Sequence, residues 1–277
     1  MSSLVVDCPT PNQMLKPALQ LWALHEELRE DAAAILDWVA LQEFSGVELA
    51  GFARRHPKKL AAMLQSRNLV VVGLHGPHIG DFATPSQYAK WVVATCELLS
   101  TETVSTFRDS HLPEPNLADY EQLAQSLRKV CTFLQKRGLR ISYHCFEEDF
   151  RTLQHGTRGF ELLLREVPNP NFGLQLDTYW IACAQTSTTD LLSATENRVF
   201  SIHVNDVLGR TLPRSVSPTM LLDIVRDLGA ANPGAHWILE DSVFGPTHTG
   251  PKLPIHKAIA RSAERWRELC ESLNGGK

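Results

Sequence analysis

Four side chains able to bind a metal ion recur along the second half of this sequence, each about one strand and one helix from the next. They are His144, Asp177, His203 and Glu240, separated by 33, 26 and 37 residues. Each ends a short apolar run typical of a β-strand, so the four would converge if these strands lie side by side. Two imidazoles and two carboxylates suit one divalent cation, such as Mn²⁺, Zn²⁺, Co²⁺ or Mg²⁺. The spacing therefore predicts a metal site.

Each of these residues, taken alone, also has a structural alternative. An aspartate or histidine at the end of a strand often caps a helix or ties a loop. Carboxylates that end apolar strands are nevertheless costly unless they are paired or bound to a metal. Four metal-binding residue types at corresponding positions therefore favour one shared site over four separate structural roles.

Three side chains near the strand ends are candidates for moving a proton. Glu240 is the first candidate for a base that is also a ligand, and Glu147, after the fifth strand, is the second candidate for either role. His75 ends the third strand and is predicted to carry protons or bind substrate oxygens, with a loop-tethering role as the alternative. A metal bound to a hydroxyl and the adjacent carbonyl of a substrate would acidify the C–H bond between them. A carboxylate or imidazole would then remove that proton.

Five further residues are predicted to contact the substrate. Trp22 and Trp180 would form apolar walls for a substrate, with buried core positions as the alternative for these aromatic side chains. Glu48 is expected to face the open end of the fold, with a salt bridge across the interior as the alternative. His78 is predicted to bind substrate oxygens or to carry protons. Arg210 follows the seventh strand and could meet an anionic group, with a solvated loop position as its alternative.

The elements that must position these residues alternate strictly between strand and helix. Eight apolar runs predict strands at 18–24, 46–50, 69–75, 103–107, 139–145, 172–176, 199–204 and 236–240. Eight amphipathic segments predict helices at 31–42, 57–67, 86–99, 116–137, 160–166, 189–196, 219–228 and 254–273. This alternation predicts an α/β fold with parallel strands and helical crossovers, and eight units favour closure into a single (β/α)8 TIM barrel.

An open doubly wound sheet is the competing architecture. It would need a glycine-rich turn such as GxGxxG after a strand, and the sequence contains none. We therefore expect residues 1–15 to be an N-terminal lead-in and residues 16–277 to form one barrel domain. In such a barrel the chemistry lies at the C-terminal ends of the strands. Asp31 is expected to cap the first helix.

Composition narrows the classes of function. The chain of 277 residues has 27 basic and 31 acidic residues, a formal net charge of −4, and 43% hydrophobic residues. The acidic balance argues against a nucleic-acid binder, and the hydrophobic content is that of a folded protein. No apolar window of about 18 residues is present, and no signal peptide is recognisable. A cytoplasmic protein is therefore expected, and its six cysteines, with no CxxC pair, are expected to be reduced.

Five segments, in order along the chain, resemble the xylose isomerase-like TIM barrels of the sugar phosphate isomerase/epimerase type. They are LQLWALHEELREDAAAILDWVALQEFSGVELAGF, GLRISYHCFEEDF, FGLQLDTYW, FSIHVND and WILEDS. The resemblance covers about residues 17–273. It implies a barrel in which strands 5 to 8 hold a divalent metal, and it implies that the chain could pair as a homodimer. The corresponding residues here are His144, Asp177, His203 and Glu240.

Four positions depart from the pattern of that family. His144 stands where many relatives carry a glutamate that pairs with the strand 8 glutamate in proton transfer. Cys145 and Phe146 replace the Asn-His of the common YHNH segment, and Asn205 replaces the lysine of HxKD. Asn205 is therefore expected to contact the substrate without the positive charge of a lysine. These changes indicate a specificity different from that of the common branch.

The predicted function is a divalent-metal-dependent isomerase or epimerase of a small sugar or keto-sugar. It would act by proton abstraction next to a carbonyl, through a metal-stabilised enediolate. The alternative is a lyase or dehydratase of a keto-sugar or inosose-type polyol on the same scaffold, which the loss of the second glutamate favours. No lysine ends a predicted strand, as a Schiff-base aldolase would need. No glycine-rich phosphate loop follows strand 7 or 8, so an unphosphorylated substrate is expected.

Two other classes of protein remain as alternatives. A DNA-repair endonuclease such as endonuclease IV has a similar barrel, but the net charge of −4 and the single ligand set argue against it. A binding barrel with a degenerate site is the second, because a fold alone does not secure a function. The predicted partner is therefore a small sugar or polyol rather than a nucleic acid or a membrane.

Overall fold

Eight parallel strands close into a barrel, each hydrogen-bonded to the next along the chain and the last to the first. A computed structural model of the chain describes residues 16–50, 57–108, 114–195, 197–205, 216–241 and 255–274. The strands are β1 Ala18–Gln20, β2 Val47–Ala50, β3 Val71–His75, β4 Thr103–Thr106, β5 Arg140–His144, β6 Phe172–Asp177, β7 Val199–Asn205 and β8 His236–Glu240. The predicted (β/α)8 barrel is confirmed, and the predicted lead-in, residues 1–15, lies outside the described residues.

Helices connect successive strands. The α-helices in the described residues are α1 His25–Ala40, α2 Pro57–Gln65, α3 Pro85–Leu99, α4 Leu117–Gln135, α5 Gly159–Glu166, α6 Thr178–Cys183, α7 Thr188–Thr195, α8 Pro218–Ala231 and α9 Ile255–Asn274. Short 3-10 turns lie at Leu21–Leu24, Ile79–Asp81, Glu147–Phe150 and Gln154–Gly156. Among the helices described, none is long and apolar enough to cross a bilayer.

Local sequence explains where the helices begin. The Thr84 side chain accepts a hydrogen bond from the backbone N–H of Gln87, and Pro85 occupies the first turn of α3. Asn116 and Asp119 form a reciprocal capping box at the start of α4. These side chains bond N–H groups that the first turn of a helix leaves without an internal partner.

The strands are buried as a barrel requires. All six residues of β6 are buried, as expected for a strand covered on both faces. Outside the barrel, the rings of Trp237 in β8 and Trp266 in α9 lie 5.4 Å apart. This contact packs α9 against β8.

The first strand is shorter than predicted. β1 ends at Gln20, because the Gln20 side chain accepts a hydrogen bond from the backbone N–H of Trp22 and starts a 3-10 turn. The predicted strand at 18–24 is therefore wrong beyond Gln20, since an apolar run does not show where backbone pairing stops. Trp22 consequently lies on the turn that follows the strand.

The first helix shows both a confirmed cap and a wrong boundary. Asp31 has non-helical dihedral angles, φ −144° and ψ 81°, and its carboxylate accepts from the backbone N–H of Ala34 at 3.0 Å. The predicted cap is confirmed, but residues from His25 onward are already helical, so α1 is kinked at Asp31. The helix α6 directly after β6 was not predicted.

A close approach at Gly159 yields a first test of the packing. A Cβ atom there would lie within 3 Å of the ring of Tyr120, which is buried in α4. Gly159→Ala is therefore expected to lower the free energy of unfolding by about 1–3 kcal/mol, as overpacking does. The measurement is urea unfolding beside Gly234→Ala, whose Cβ would meet nothing within 4 Å. Equal stabilities of the two variants would contradict this packing.

Candidate active site at the barrel mouth

A set of polar side chains occupies buried positions inside the C-terminal end of the barrel. They alternate along the strands, as inward-facing residues do. They are Glu48, His144, Gln175, Asp177, Ser201, His203 and Glu240. Strand pairing places Asp177 beside His203, and Asn205 beside Glu240. Buried polar groups are costly unless they are bonded, so the contacts among them indicate what the site can do.

Asp177, His203 and Glu240 form a candidate ligand set, which we call the carboxylate set. One ligand atom from each lies within 4.8 Å of the others. The His203 Nδ1 atom is 2.7 Å from Glu240 Oε2, yet it is buried and has no aligned hydrogen bond. A buried ring nitrogen held between two carboxylates without an aligned partner fits a site for a cation.

The opposite nitrogen of His203 is bound by a third carboxylate. His203 Nε2 lies 2.8 Å from Glu48 Oε2. The amide nitrogen of Gln175 donates to Glu48 Oε1 at 2.6 Å and to Ser201 Oγ at 2.9 Å. Glu48 therefore has both oxygens engaged inside the barrel, in the salt bridge that was the alternative to its predicted role as a substrate ligand.

His75, His144 and His203 form a second candidate set, which we call the histidine set. One ring nitrogen from each lies within 4.8 Å of the others. The Gln175 amide oxygen is 3.2 Å from His75 Nδ1 and 3.1 Å from His144 Nδ1. Because the amide nitrogen of Gln175 faces a carboxylate, its oxygen must face these rings. Both Nδ1 atoms therefore donate, and each imidazole keeps its Nε2 for another partner.

Burial and charge shift the acidities within the site. Burial would raise the pKa of Glu48, but the charge and hydrogen bond of His203 hold that pKa below its usual value. Burial would lower the pKa of His203, but Glu48 and Glu240 raise it well above its usual value. Burial and the charge of Glu240 raise the pKa of Asp177 to about 7. A divalent cation would relieve the repulsion between these two crowded carboxylates, which have too little positive charge nearby.

The four predicted ligands are thus distributed over two sets. Asp177, His203 and Glu240 share the carboxylate set, while His144 lies in the histidine set, and His203 belongs to both. Asp177 also caps α6 by accepting from the backbone N–H of Tyr179 at 2.7 Å, so its structural role coexists with its place in the set. Because the described residues form two overlapping candidate sets, the number of ligand sets does not exclude an endonuclease, whereas the net charge of −4 still disfavours one.

Two of the other predicted site residues lie outside both sets. Glu147 pairs with Arg151 at 2.7 Å and has about a third of its side chain exposed. His78 caps the turn at Ile79–Asp81 by accepting from the Gly80 N–H at 3.2 Å. His78 also lines a cavity of about 480 Å³ beside α4. The structure does not bring either side chain among the buried polar residues of the barrel.

The other residues predicted to contact the substrate differ in how far they are buried. Trp22 is 37% exposed and stacks on His25 at 4.7 Å. Trp180, in α6, is half-buried and lies 5.8 Å from the Phe146 ring. Asn205 is buried and its amide donates to Asp177 Oδ2 at 3.3 Å. Arg210 lies outside the described residues.

Sequence reasoning missed Gln175 and the aromatic rings beside the histidines. Phe146 lies 4.8 Å from the His144 ring, and Phe107 stacks on His75 at 5.2 Å. One signal could have found Gln175, because it stands two residues before Asp177 and so shares the inward face of β6. The phenylalanines carry no such signal, since an aromatic residue after a strand is equally typical of a core position.

The loop after β5 is fixed by a buried aspartate. Asp149 accepts hydrogen bonds from the hydroxyls of Tyr120 and Tyr143 at 2.6 and 2.8 Å, and from the backbone N–H of Phe146 at 2.6 Å. Burial raises its pKa to about 6, against the lowering effect of these bonds. This network ties α4 and β5 to the turn at Glu147–Phe150.

Asp149 yields a pH-dependent test. Its folded pKa of about 6 exceeds the usual 3.8, so the folded protein binds more protons between these values and loses stability as the pH rises through them. The stability of the wild type relative to Asp149→Asn is expected to fall by up to about 3 kcal/mol over that range. Urea unfolding of both proteins at several pH values measures it. A pH-independent difference would show that Asp149 titrates normally.

The chain matches known proteins along most of its length. The family model of xylose isomerase-like TIM barrels matches residues 36–240, and no protein of curated function matches the sequence. A sugar phosphate isomerase/epimerase from Parabacteroides distasonis has a similar structure, with a TM-score of 0.71, 16% identity, and 97% of this chain and 98% of that chain covered.

Two further solved structures share the fold at low identity. D-psicose 3-epimerase from Clostridium cellulolyticum has a TM-score of 0.64 and 14% identity, with 86% of this chain and 93% of that chain covered. A probable 3-DHS dehydratase from Bacillus anthracis has a TM-score of 0.60 and 13% identity, with 95% and 100% covered. The barrel, the matched residues and the polar strand ends lead to one conclusion: this chain belongs to the xylose isomerase-like TIM barrel family.

Proposed function

We propose that this chain is a divalent-metal-dependent isomerase or epimerase of a small sugar or keto-sugar. The carboxylate set carries the proposal, above all His203, whose Nδ1 is buried without an aligned partner between Asp177 and Glu240. The set stands at the C-terminal ends of β6, β7 and β8, where barrels of this kind do their chemistry. Membership of the family supports the reaction class.

The metal would be held by Asp177, by Nδ1 of His203 and by Glu240. His144, the fourth ligand predicted from the sequence, lies in the histidine set. When bound, a divalent cation supplies a Lewis acid that polarises a carbonyl and lowers the pKa of the neighbouring C–H. A mixture of carboxylate and imidazole ligands suits Mn²⁺, Zn²⁺ or Co²⁺. Mg²⁺ is the ion of the four that most strongly prefers oxygen ligands. The buried walls around the set keep bulk water away from the reacting atoms.

Two groups on this chain are placed to move the proton. Glu240 lies at the end of β8 and retains some solvent exposure. His75 holds its Nδ1 toward Gln175 and Ser105, which leaves Nε2 as the acceptor. Burial lowers the pKa of His75, against the opposing charge of Glu48, so its ring is neutral near pH 7. We assign Glu240 as the base that takes the C–H proton and then returns it to the neighbouring carbon, and His75 Nε2 as the group that accepts the hydroxyl proton and passes it to the carbonyl oxygen.

The proposed substrate is a small unphosphorylated polyol or keto-sugar. Trp180 and Phe146 offer apolar ring surface beside His144, and C–H faces of a sugar ring pack against such surface. Asn205 offers an amide in place of a charged lysine next to Asp177. Glu147 is left out of the proton path because its carboxylate pairs with Arg151.

A dehydratase or other lyase is the second candidate. The observation that favours it is the imidazole of His144, placed at the end of β5 among His75 and His203 rather than a second carboxylate. Proton abstraction next to a carbonyl starts both reactions, and they differ in whether a leaving group then departs. Solved structures bearing the names of an epimerase and of a probable dehydratase share this fold.

One experiment separates the candidates. The protein is loaded with Mn²⁺ and incubated in D₂O with a panel of keto-sugars and inososes, and the products are followed by proton NMR and ultraviolet absorbance. An isomerase or epimerase exchanges a C–H for deuterium and yields a saturated isomer, whereas a dehydratase yields an unsaturated ketone. Absence of exchange and of products with every substrate and metal would contradict the proposed function and favour a binding barrel.

A further inference from the structure

We propose that Glu48 is a positioning residue that orients His203 for metal binding, and that Gln175 fixes Glu48 in place. The inference rests on the proposed metal site. Glu48 comes from β2, across the barrel from β7, and its carboxylate binds His203 Nε2 at 2.8 Å. Both of its carboxylate oxygens are engaged, one by His203 and the other by Gln175, so it acts on the imidazole and has no oxygen left for the substrate.

The contact decides which nitrogen of His203 keeps its proton when the ring gives up the other one to bind a metal. A carboxylate that is ionised can only accept, so the hydrogen bond requires a proton on Nε2. In the neutral imidazole the lone pair is then on Nδ1, the atom that faces Asp177 and Glu240. A metal ligand needs that lone pair. Without Glu48, the ring could place its proton on Nδ1 and present the wrong atom.

Gln175 keeps the Glu48 carboxylate from rotating away. Its amide nitrogen donates to Glu48 Oε1 at 2.6 Å and to Ser201 Oγ at 2.9 Å. Its amide oxygen accepts from His75 and His144 on the opposite side. One side chain in β6 therefore links residues from β2, β3, β5 and β7. Its bond to Glu48 Oε1 holds the plane of the carboxylate, so that Oε2 stays directed at His203.

The charge of Glu48 has a second effect on the ligand. A carboxylate behind a metal-binding imidazole raises the basicity of the opposite nitrogen and holds the plane of the ring. Loss of such a partner lowers metal affinity by roughly 10–100-fold in metalloproteins. The experiment must therefore detect a loss of metal affinity of this size.

The test compares Zn²⁺ affinity, by competition with a chromophoric chelator, in the wild type, Glu48→Gln and Asp149→Asn. Asp149 is the matched control, because it is a buried carboxylate that bonds two tyrosines and a backbone N–H but not His203. Glu48→Gln is expected to weaken Zn²⁺ binding by about 10–100-fold, and Asp149→Asn to leave it within about twofold. Circular dichroism verifies that each variant is folded.

The visible spectrum of bound Co²⁺ reports the geometry of its ligands, which a general loss of stability does not change. Glu48→Gln is expected to change the band shape because His203 turns in the coordination sphere, whereas Asp149→Asn keeps the wild-type bands. If Glu48→Gln does not fold, Glu48→Asp replaces it; this variant keeps the charge but lacks one methylene of reach, and it is expected to weaken Zn²⁺ binding as well.

The outcomes distinguish this inference from the proposed function. Wild-type affinity and wild-type Co²⁺ bands in a folded Glu48 variant would overturn the positioning role alone. Equal loss in the Asp149 control would also overturn it, because the effect would then be one of general destabilisation. A wild-type protein that binds neither Zn²⁺ nor Co²⁺ would overturn the metal site itself, and the positioning role with it.

Discussion

Replacing His203 by alanine is expected to lower the Mn²⁺ affinity of the protein by more than about 100-fold, a larger loss than that of an outer partner. His203 is the one residue that belongs to both the carboxylate set and the histidine set. The substitution also leaves Glu48 buried without the partner that bonds it at 2.8 Å. Unfolding should therefore become easier by about 3–5 kcal/mol, the usual result of removing one member of a buried ion pair.

Electron paramagnetic resonance of free Mn²⁺ measures this affinity, with urea unfolding in parallel. His236→Ala is the matched control, because His236 is exposed at the start of β8, at the opposite end of that strand from Glu240. The control is expected to bind Mn²⁺ as the wild type does. If the His203 variant binds Mn²⁺ as tightly as the control, the metal site lies elsewhere.

The second large effect concerns Glu240. Glu240→Gln keeps the size of the side chain but removes its ability to accept a proton and weakens it as a ligand. The rate of deuterium exchange into the substrate is expected to fall by about 10²–10⁴-fold, the range typical of a lost general base. Saturating Mn²⁺ in the assay separates the loss of the base from the loss of metal affinity.

Glu147→Gln is the informative comparison, because Glu147 was the second base predicted from sequence. The structure pairs its carboxylate with Arg151 outside both ligand sets. The larger loss of exchange is therefore expected in the Glu240 variant. A larger loss in the Glu147 variant would reverse the assignment and would require the loop after β5 to turn its carboxylate into the mouth.

The barrel could be predicted because its signal is repeated eight times. Apolar strands and amphipathic helices alternate at regular spacing, and the closed sheet follows that order. The boundary of β1 could not be predicted, because a side-chain hydrogen bond from Gln20 ends the strand inside an apolar run. Asp31 could be predicted as a cap, but the helical turn before it has no comparable signal in the sequence.

From the sequence, the candidate site could be predicted only as a group of residues at the ends of strands. Spacing places His144, Asp177, His203 and Glu240 at one end of the barrel, but it does not say which side chains share a set. That depends on register, and the pairing of β6 with β7 shifts between Leu174 and Gln175. Sequence spacing alone therefore could not separate His144 from the carboxylate set.

The Glu48–Gln175 network lay beyond sequence reasoning for a different reason. Glu48 and Gln175 are 127 residues apart and Glu48 and His203 are 155 apart. A lone buried glutamate in an apolar strand predicts some partner, since an unpaired charge there is costly, but it does not name one. Only closure of the barrel brings β2 opposite β6 and β7.

The most direct measurement is anomalous X-ray scattering from crystals grown with Mn²⁺, recorded on both sides of the manganese absorption edge. The account predicts one strong peak within about 2.5 Å of an oxygen of Asp177, of Nδ1 of His203 and of an oxygen of Glu240, a separation typical of metal–ligand bonds. A peak bound by His75 and His144 without the two carboxylates, or no peak at the mouth of the barrel, would contradict it.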